Sequence, residues 1–231
     1  MSDSPLLEAR NSIERFAPVK QALRRVAGVI HPNHITAIRV PGAVVAAALD
    51  RVSHTAGAVA YAVNTLLDWA DGAVARSRKG SETREGTLLD PLVDKVSNAI
   101  VLAYQVAQHV DDWRFATAAA VSVTLNAVSQ LQRGPIGGQV KDAARGVFAP
   151  GSCEPVETNG ATKSIKANTW GKVKYMMESS AIGAMFAAGD SGMVRISAAA
   201  TLAASSLLCI VGTVKRMRAG KSTEAPGEVQ A

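Results

Sequence analysis

The chain is poor in aromatic residues, in cysteine and in long apolar runs. Aromatics make up 4% of its 231 residues, and no RNA- or DNA-binding motif is present. A net charge of +6 and a pI near 9.5 would suit nucleic acid, but without a motif or aromatic platforms that partner class is excluded. The two cysteines, Cys153 and Cys209, lie far apart and form neither a metal spacing nor a disulfide framework. The N-terminal stretch MSDSPLLEARNSIERF carries acids and no apolar run, so no signal peptide is expected. Uncharged stretches are scarce: residues 196–214 and 115–132 are the long ones, and both are rich in Ala, Ser and Thr. With a mean hydropathy of +0.11, hydropathy alone leaves a soluble helical protein and a membrane protein equally open. The histidines, His31, His34, His54 and His109, have no ligand spacing and are expected at the ends of apolar segments.

What the chain does have is a concentration of acids between residues 68 and 94. It reads D-x-x-D-G-x-x-A-R over residues 68–76, then a spacer, then G-x-x-x-D-x-x-x-D over residues 86–94. Asp68 and Asp71 are three apart, and Asp90 and Asp94 are four apart. Both spacings put the side chains on one helical face. At about 100° per residue, Asp68, Asp71, Gly72, Ala75 and Arg76 share roughly 140° of arc, and Gly86, Asp90 and Asp94 form a second row. Two facing helices would gather four carboxylates at one point, with Gly and Ala leaving room between them. Carboxylates so crowded need cations among them. Oxygen-only ligands suit a hard ion, Mg²⁺ or Mn²⁺. Such ions commonly bridge to a phosphorylated substrate, and Arg76 is a natural phosphate partner.

Along the chain, residues 1–30 read as an amphipathic, basic helix suited to an anionic membrane surface. Pro32 stops it, and Asn33 is the expected cap of the next helix. Six apolar segments follow, at about 34–50, 54–75, 87–110, 114–132, 171–189 and 192–214. Alternating across a bilayer from an inside N-terminus, they sort the basic residues. Twenty of the 25 fall in inner segments, three (Arg51, Arg114 and Arg195) in outer ones, and Arg39 and Lys95 lie within spans. This asymmetry favours an all-α polytopic membrane protein with six transmembrane helices and cytoplasmic termini. Both Asp pairs then lie at the cytoplasmic face. Residues 133–170 read as an irregular loop with a short helix at 139–148, and 219–231 as a flexible tail. The expected domain is 31–218.

The eight fixed positions, Asp68, Asp71, Gly72, Ala75, Arg76, Gly86, Asp90 and Asp94, resemble the signature of the CDP-alcohol phosphotransferases, integral membrane enzymes of phospholipid synthesis. Asn33, Thr36 and Arg39 resemble the family's P-N-x-x-T-x-x-R entry to its first span. The resemblance implies that Asp68, Asp71, Asp90 and Asp94 approach Mg²⁺ or Mn²⁺, with Asp94 as the base for the acceptor hydroxyl. It assigns Asn33, Thr36, Arg39, Gly72, Ala75, Arg76, Thr83 and Gly86 to the nucleotide and CDP-lipid. The implied reaction moves a phosphatidyl group from CDP-diacylglycerol to an alcohol and releases CMP. Asp90-Pro91-Leu92-Val93-Asp94-Lys95 and Gly171-Lys172-Val173-Lys174 are similar to bacterial phosphatidylglycerophosphate synthases. The expected acceptor is therefore glycerol 3-phosphate, its phosphate held by Arg133, Lys172 and Lys174. Inositol phosphate, inositol, serine or a second lipid are the alternatives. The family often dimerises, and the small residues Ala198, Ala199, Ala200, Ala203 and Ala204 permit a homodimer. A soluble prenyl-diphosphate synthase is disfavoured because Ala70 interrupts the adjacent Asp pair it uses.

The topology predicts that alkaline phosphatase fused after Asp111 is active and fused after Lys79 is inactive. The reverse pattern, or activity at both junctions, would refute six alternating spans.

Overall fold

The three- and four-residue spacings of the motif call for helices, and every described element is an α-helix. The computed structural model describes residues 28–77, 84–132, 135–149, 169–188 and 190–221, with Pro18, Gln21 and Arg25 as isolated positions before them. Among these residues there are seven long helices and no strand. They are α1 (Pro32–Asp50), α2 (His54–Ser77), α3 (Arg84–Gln108), α4 (Trp113–Leu131), α5 (Ile136–Phe148), α6 (Thr169–Ala188) and α7 (Gly192–Lys221). Of the expected amphipathic helix at 1–30 only Pro18, Gln21, Arg25 and residues 28–30 are described, and of the tail expected at 219–231 residues 219–221 belong to α7 while 222–231 lie outside the described residues. The short helix expected at 139–148 begins three residues earlier, at Ile136.

Local chemistry sets the helix ends. α1 starts at Pro32, whose missing N–H costs nothing at a first helical position. The cap is His31, whose Nδ1 accepts from the Asn33 backbone N–H at 3.3 Å, so Asn33 is not the cap that the sequence suggested. Its side chain is used elsewhere. Asp112 caps α4 by accepting from Arg114 N at 3.2 Å and Phe115 N at 3.3 Å. It also takes Arg195 Nε of α7 at 3.3 Å. These donors, the Phe115 N–H first, hold the Asp112 carboxyl below the usual range.

Six helices close a ring in the order α1, α2, α6, α7, α4, α3, with α3 also touching α6 across it and α5 lying against α3 and α1. All six supply the core, which includes Ala43, Ala46, Tyr61, Leu102, Phe115, Ile182, Phe186 and Leu202. Tyr61 stacks on Phe186 at 5.1 Å. Polar residues are buried alongside them: Asn64, Ser97, Asn98, Gln105, Ser122, Asn126 and Ser205. Large apolar side chains such as Val44, Val45, Val63, Leu66, Val121 and Leu207 point outward. Hydroxyls on the helices return to their own backbone, as Thr65 to Tyr61 O, Thr124 to Ala120 O and Thr201 to Ser197 O. Self-satisfied hydroxyls of this kind are tolerated in apolar surroundings. By length and composition, one segment among the described residues, Gly192–Val214, could cross a membrane.

α1 and α2 meet without side chains in two places. A Cβ on Gly42 would run into Asn64 Oδ1, and one on Gly57 would stand 2.5 Å from Asp50 Cβ and 2.7 Å from its Cα. The second contact involves backbone and cannot relax by a rotamer change. Gly57→Ala should therefore cost about 1–3 kcal/mol, read as a lower Tm in detergent. Gly212→Ala, where an added Cβ meets nothing within 4 Å, should melt as the parent does. Equal melting of the two variants would show that the helices do not approach this closely.

Candidate active site

The two halves of the motif lie on α2 and α3, as the spacing implied, but these helices do not simply face each other. Both pack chiefly on α1, which runs between them. The carboxylates consequently pair across the two halves, each pair sharing a side chain of α1. Thr36 Oγ1 lies 2.7 Å from Asp71 Oδ2 and 3.1 Å from Asp90 Oδ1. Arg39 Nη1 donates to Asp68 Oδ1 at 2.7 Å, and its Nη2 pairs with Asp94 Oδ1 at 2.6 Å. The second pair has a third member, Tyr175 of α6, whose hydroxyl takes Arg39 Nη2 at 2.8 Å. Thr36 and Arg39 sit three apart on one face of α1, which is why one helix serves both pairs.

Burial is graded across the cluster. Arg39, Thr36 and Asp71 are buried. The side chains of Asp68 and Asp94 retain 33% and 25% exposure, and Asp90 is exposed. Three of the four carboxylates, Asp68, Asp90 and Asp94, thus keep solvent contact while Asp71 and the guanidinium are covered. One guanidinium cannot balance four carboxylates, and Asp71 and Asp90 share only a hydroxyl.

The donor set fits a hard divalent ion in kind, since it is all carboxylate and hydroxyl oxygen. As they stand, no three His, Cys, Asp or Glu side chains among the described residues converge to hold one ion, because Arg39 and Thr36 stand between them. Asp68, Asp71, Asp90 and Asp94 are the residues that would hold Mg²⁺ or Mn²⁺.

Other expected site residues fall differently. Gly72 and Ala75 lie on α2 beside Asp71. Gly86 is in α3; Arg76 and Lys172 are also in helices, but their side chains lie outside the described residues, as do Thr83 and Arg133 entirely. Asn33 does not turn toward the carboxylates. Its Nδ2 donates to Gly146 O of α5 at 2.9 Å. Lys174 is engaged, donating to Glu178 Oε2 at 2.9 Å and to Asn126 Oδ1. Three of the histidines take varied partners: His31 Nδ1 accepts from Asn33 N, His34 Nε2 meets Val147 O at 2.7 Å, and His54 Nδ1 meets Asp50 Oδ1 at 3.0 Å.

Two groups escaped the reading of the sequence. Tyr175 carries no spacing signal, since a lone tyrosine at the start of an apolar segment reads as packing. Glu178 did carry one, as an acid inside an apolar segment. It is 2% exposed and accepts from Ser122 Oγ at 2.5 Å and Asn126 Nδ2 at 3.1 Å, besides Lys174. On α3, Lys95 turns away from Asp94 toward α4 and donates to Ser129 Oγ at 2.7 Å and Gln130 Oε1 at 2.6 Å. The register of α3, and with it the aim of Asp90 and Asp94, is held from that side.

Arg39→Met should strip Asp68 and Asp94 of their shared counter-charge. The expected cost is about 3 kcal/mol, the low end for breaking a buried pair because both acids keep some exposure. It is read as a lower Tm in chelator, with Mn²⁺ restoring more stability to the variant than to the parent. Unchanged melting in chelator would mean that the ion pairs do not hold α1 in place.

A sequence model of the CDP-alcohol phosphatidyltransferase family matches residues 29–150, more than half of the chain and all four carboxylates. Curated relatives include the CDP-diacylglycerol–glycerol-3-phosphate 3-phosphatidyltransferases of Escherichia coli and Shigella sonnei, each 38% identical over 68 residues. That match covers 29% of this chain, which spans 36% of the length of those relatives. No solved structure matches. On the family match, and on a cluster assembled from both halves of the acidic motif, the chain belongs to the CDP-alcohol phosphatidyltransferase family.

Proposed function

We propose that the protein is a six-span membrane enzyme that transfers the phosphatidyl group of CDP-diacylglycerol to glycerol 3-phosphate and releases CMP. The observation that carries this reading is the convergence of Asp68, Asp71, Asp90 and Asp94 on Thr36 and Arg39, with Asp68, Asp90 and Asp94 still in contact with solvent. The acceptor hydroxyl attacks the phosphatidyl phosphorus, its proton passes to an oxygen of Asp94, and the P–O bond to CMP breaks with CMP taking the electron pair. Asp94 is suited to the base because it is partly exposed while its carboxylate is oriented by Arg39. Tyr175 holds Arg39 from behind. A divalent ion held by the four carboxylates would supply charge neutralisation to the diphosphate. Gly72 and Gly86 leave the α2 and α3 backbones open to the nucleotide, and Arg76 offers a cation to its phosphates.

The bilayer placement is supported by the ring itself. Amides, hydroxyls and Glu178 lie inside, and valines and leucines lie outside, the arrangement that suits helices surrounded by lipid. Among the described residues Gly192–Val214 alone is long and apolar enough by composition to cross a membrane; buried polar residues lower the mean hydropathy of the other helices. The site faces the cytoplasm by the charge asymmetry of the loops. A homodimer is part of the reading: Ala200 and Ala203 face outward on α7, whereas Ala198 is taken up in the core. Glycerol 3-phosphate as acceptor draws on the relatives' names. Arg133, Lys172 and Lys174 remain the cations proposed for its phosphate, with Lys174 giving up its bond to Glu178 or Asn126 to reach it.

The deciding experiment is CMP release from CDP-diacylglycerol by the detergent-purified protein. Glycerol 3-phosphate, inositol phosphate, inositol and serine are offered separately with Mn²⁺, Mg²⁺ or chelator. Release is expected with glycerol 3-phosphate only, abolished by chelator, and reduced about 10²–10⁴-fold by Asp94→Asn. Release with another acceptor alone would keep the chemistry and discard the proposed substrate. No release with any of them would overturn the enzymatic reading.

A further inference from the structure

We propose that α5 is a lipid-docking helix that seats the active site on an anionic membrane surface, an inference that rests on the membrane reading above. α5 has 13 residues, roughly 20 Å at 1.5 Å per residue, too short to cross a bilayer. It presents three faces. Gln139, Ala143 and Gly146 are buried against the bundle, where Ala143 and Val147 pack with Leu89, Val93, Val40 and Leu92. Ile136, Val140, Ala144 and Phe148, spaced by four, form a stripe over about 120° of the helix surface. That stripe is turned outward: Ile136 is 45% exposed, Val140 50% and Phe148 87%. Lys141 and Arg145, one turn apart and both exposed, run along its edge, and the acid of α5, Asp142, lies on the far side of them.

An apolar stripe bordered by cations is what a bilayer surface accepts. The side chains enter the acyl boundary while Lys141 and Arg145 reach anionic headgroups. Charge complementarity thus favours lipid over a purely apolar protein partner, which would leave the two cations unmatched.

The helix is also tied to the reaction site. Asn33 Nδ2 donates to Gly146 O at 2.9 Å and His34 Nε2 meets Val147 O at 2.7 Å, so the last turn of α5 is fastened to the first turn of α1. Thr36 lies on the next turn of α1. On the other side, Leu89 and Val93 of the α5 contact are the immediate neighbours of Asp90 and Asp94 in sequence. The depth of α5 in the surface therefore bears on both elements that hold the Asp71–Thr36–Asp90 bridge. Neither Lys141 nor Arg145 belongs to that bridge.

The full chain, reconstituted in phosphatidylcholine vesicles with or without phosphatidylglycerol, carries the test. Phe148→Trp adds an emission to that of Trp69, Trp113 and Trp170. With acyl-brominated lipid, most of the added emission should be lost, and aqueous acrylamide should leave it largely intact. In the same background, Lys141→Glu with Arg145→Glu should weaken the lipid quenching in phosphatidylglycerol vesicles. Quenching by acrylamide alone would place the stripe in water and overturn the proposal. Quenching by neither would mean that protein covers it, another segment or a second copy, and would overturn it equally. CMP release from the same vesicles is scored separately. Docking without release would sink the proposed activity and leave α5 as a lipid helix, and release without docking would do the opposite.

Discussion

The arrangement of the ring depends on one buried cation. Arg39 is 2% exposed, and a guanidinium is costly to take that far from water unless its charge is met; its two Nη atoms are engaged, while Nε has no hydrogen-bond partner among the described residues. Asp68 of α2 and Asp94 of α3 meet the charge, and Tyr175 of α6 takes one further bond. A single side chain of α1 thereby joins four of the six ring helices at the level of the site. Replacing Arg39 by a neutral group would leave Asp68 and Asp94 facing each other without a counter-charge. The contacts that hold α1 against α2, α3 and α6 at this level are therefore the same contacts that order the carboxylate cluster.

The remainder of the interior follows the same rule at lower charge. Glu178 is matched by Lys174, Asn126 and Ser122, and Lys95 by Ser129 and Gln130. Gln130 and Gln139 then bond each other, Nε2 to Oε1 at 2.5 Å, and fasten α5 to α4. These contacts run from α6 through α4 to α3 and α5, behind the carboxylates. Apolar side chains do little to specify rotation between helices when their surroundings are equally apolar. Directional bonds do specify it, and the polar interior gives each helix about the ring a preferred face.

Spacing made the acidic site legible in the sequence, and the apolar runs made six of the helices legible. The helix bounds follow the apolar segments within about three residues, where residues such as Pro32 and Asp112 mark the ends, except that α7 runs seven residues past Val214 to Lys221. The part played by α1 was less visible. Thr36 and Arg39 stand out as polar residues in an apolar segment, but nothing in their spacing says that each would bridge one acid from α2 to one from α3. Sequence periodicity reports which residues share a face and is silent on which helix lies between two others. For the same reason Asn33 looked like a cap or a ligand contact, whereas it bonds a carbonyl 113 residues away. Tyr175 and the α5 carbonyls belong to this class of long-range partners, which only the packed chain reveals.

The two bridges are chemically unequal, and the inequality bears on how the site works. Asp68 and Asp94 share a fixed guanidinium. Asp71 and Asp90 share only the Thr36 hydroxyl, which brings no net charge, and Thr36 Oγ1 also lies 3.3 Å from Pro32 O of its own helix. On the proposed reading, a divalent ion held by these residues would supply most neutralisation at Asp71 and Asp90, where no positive charge already stands. The Arg39 side ties α1 to α2 and α3 through its own ion pairs. The two bridges therefore divide the work: one joins helices by opposite charge, and the other keeps two acids together with their charge unmatched.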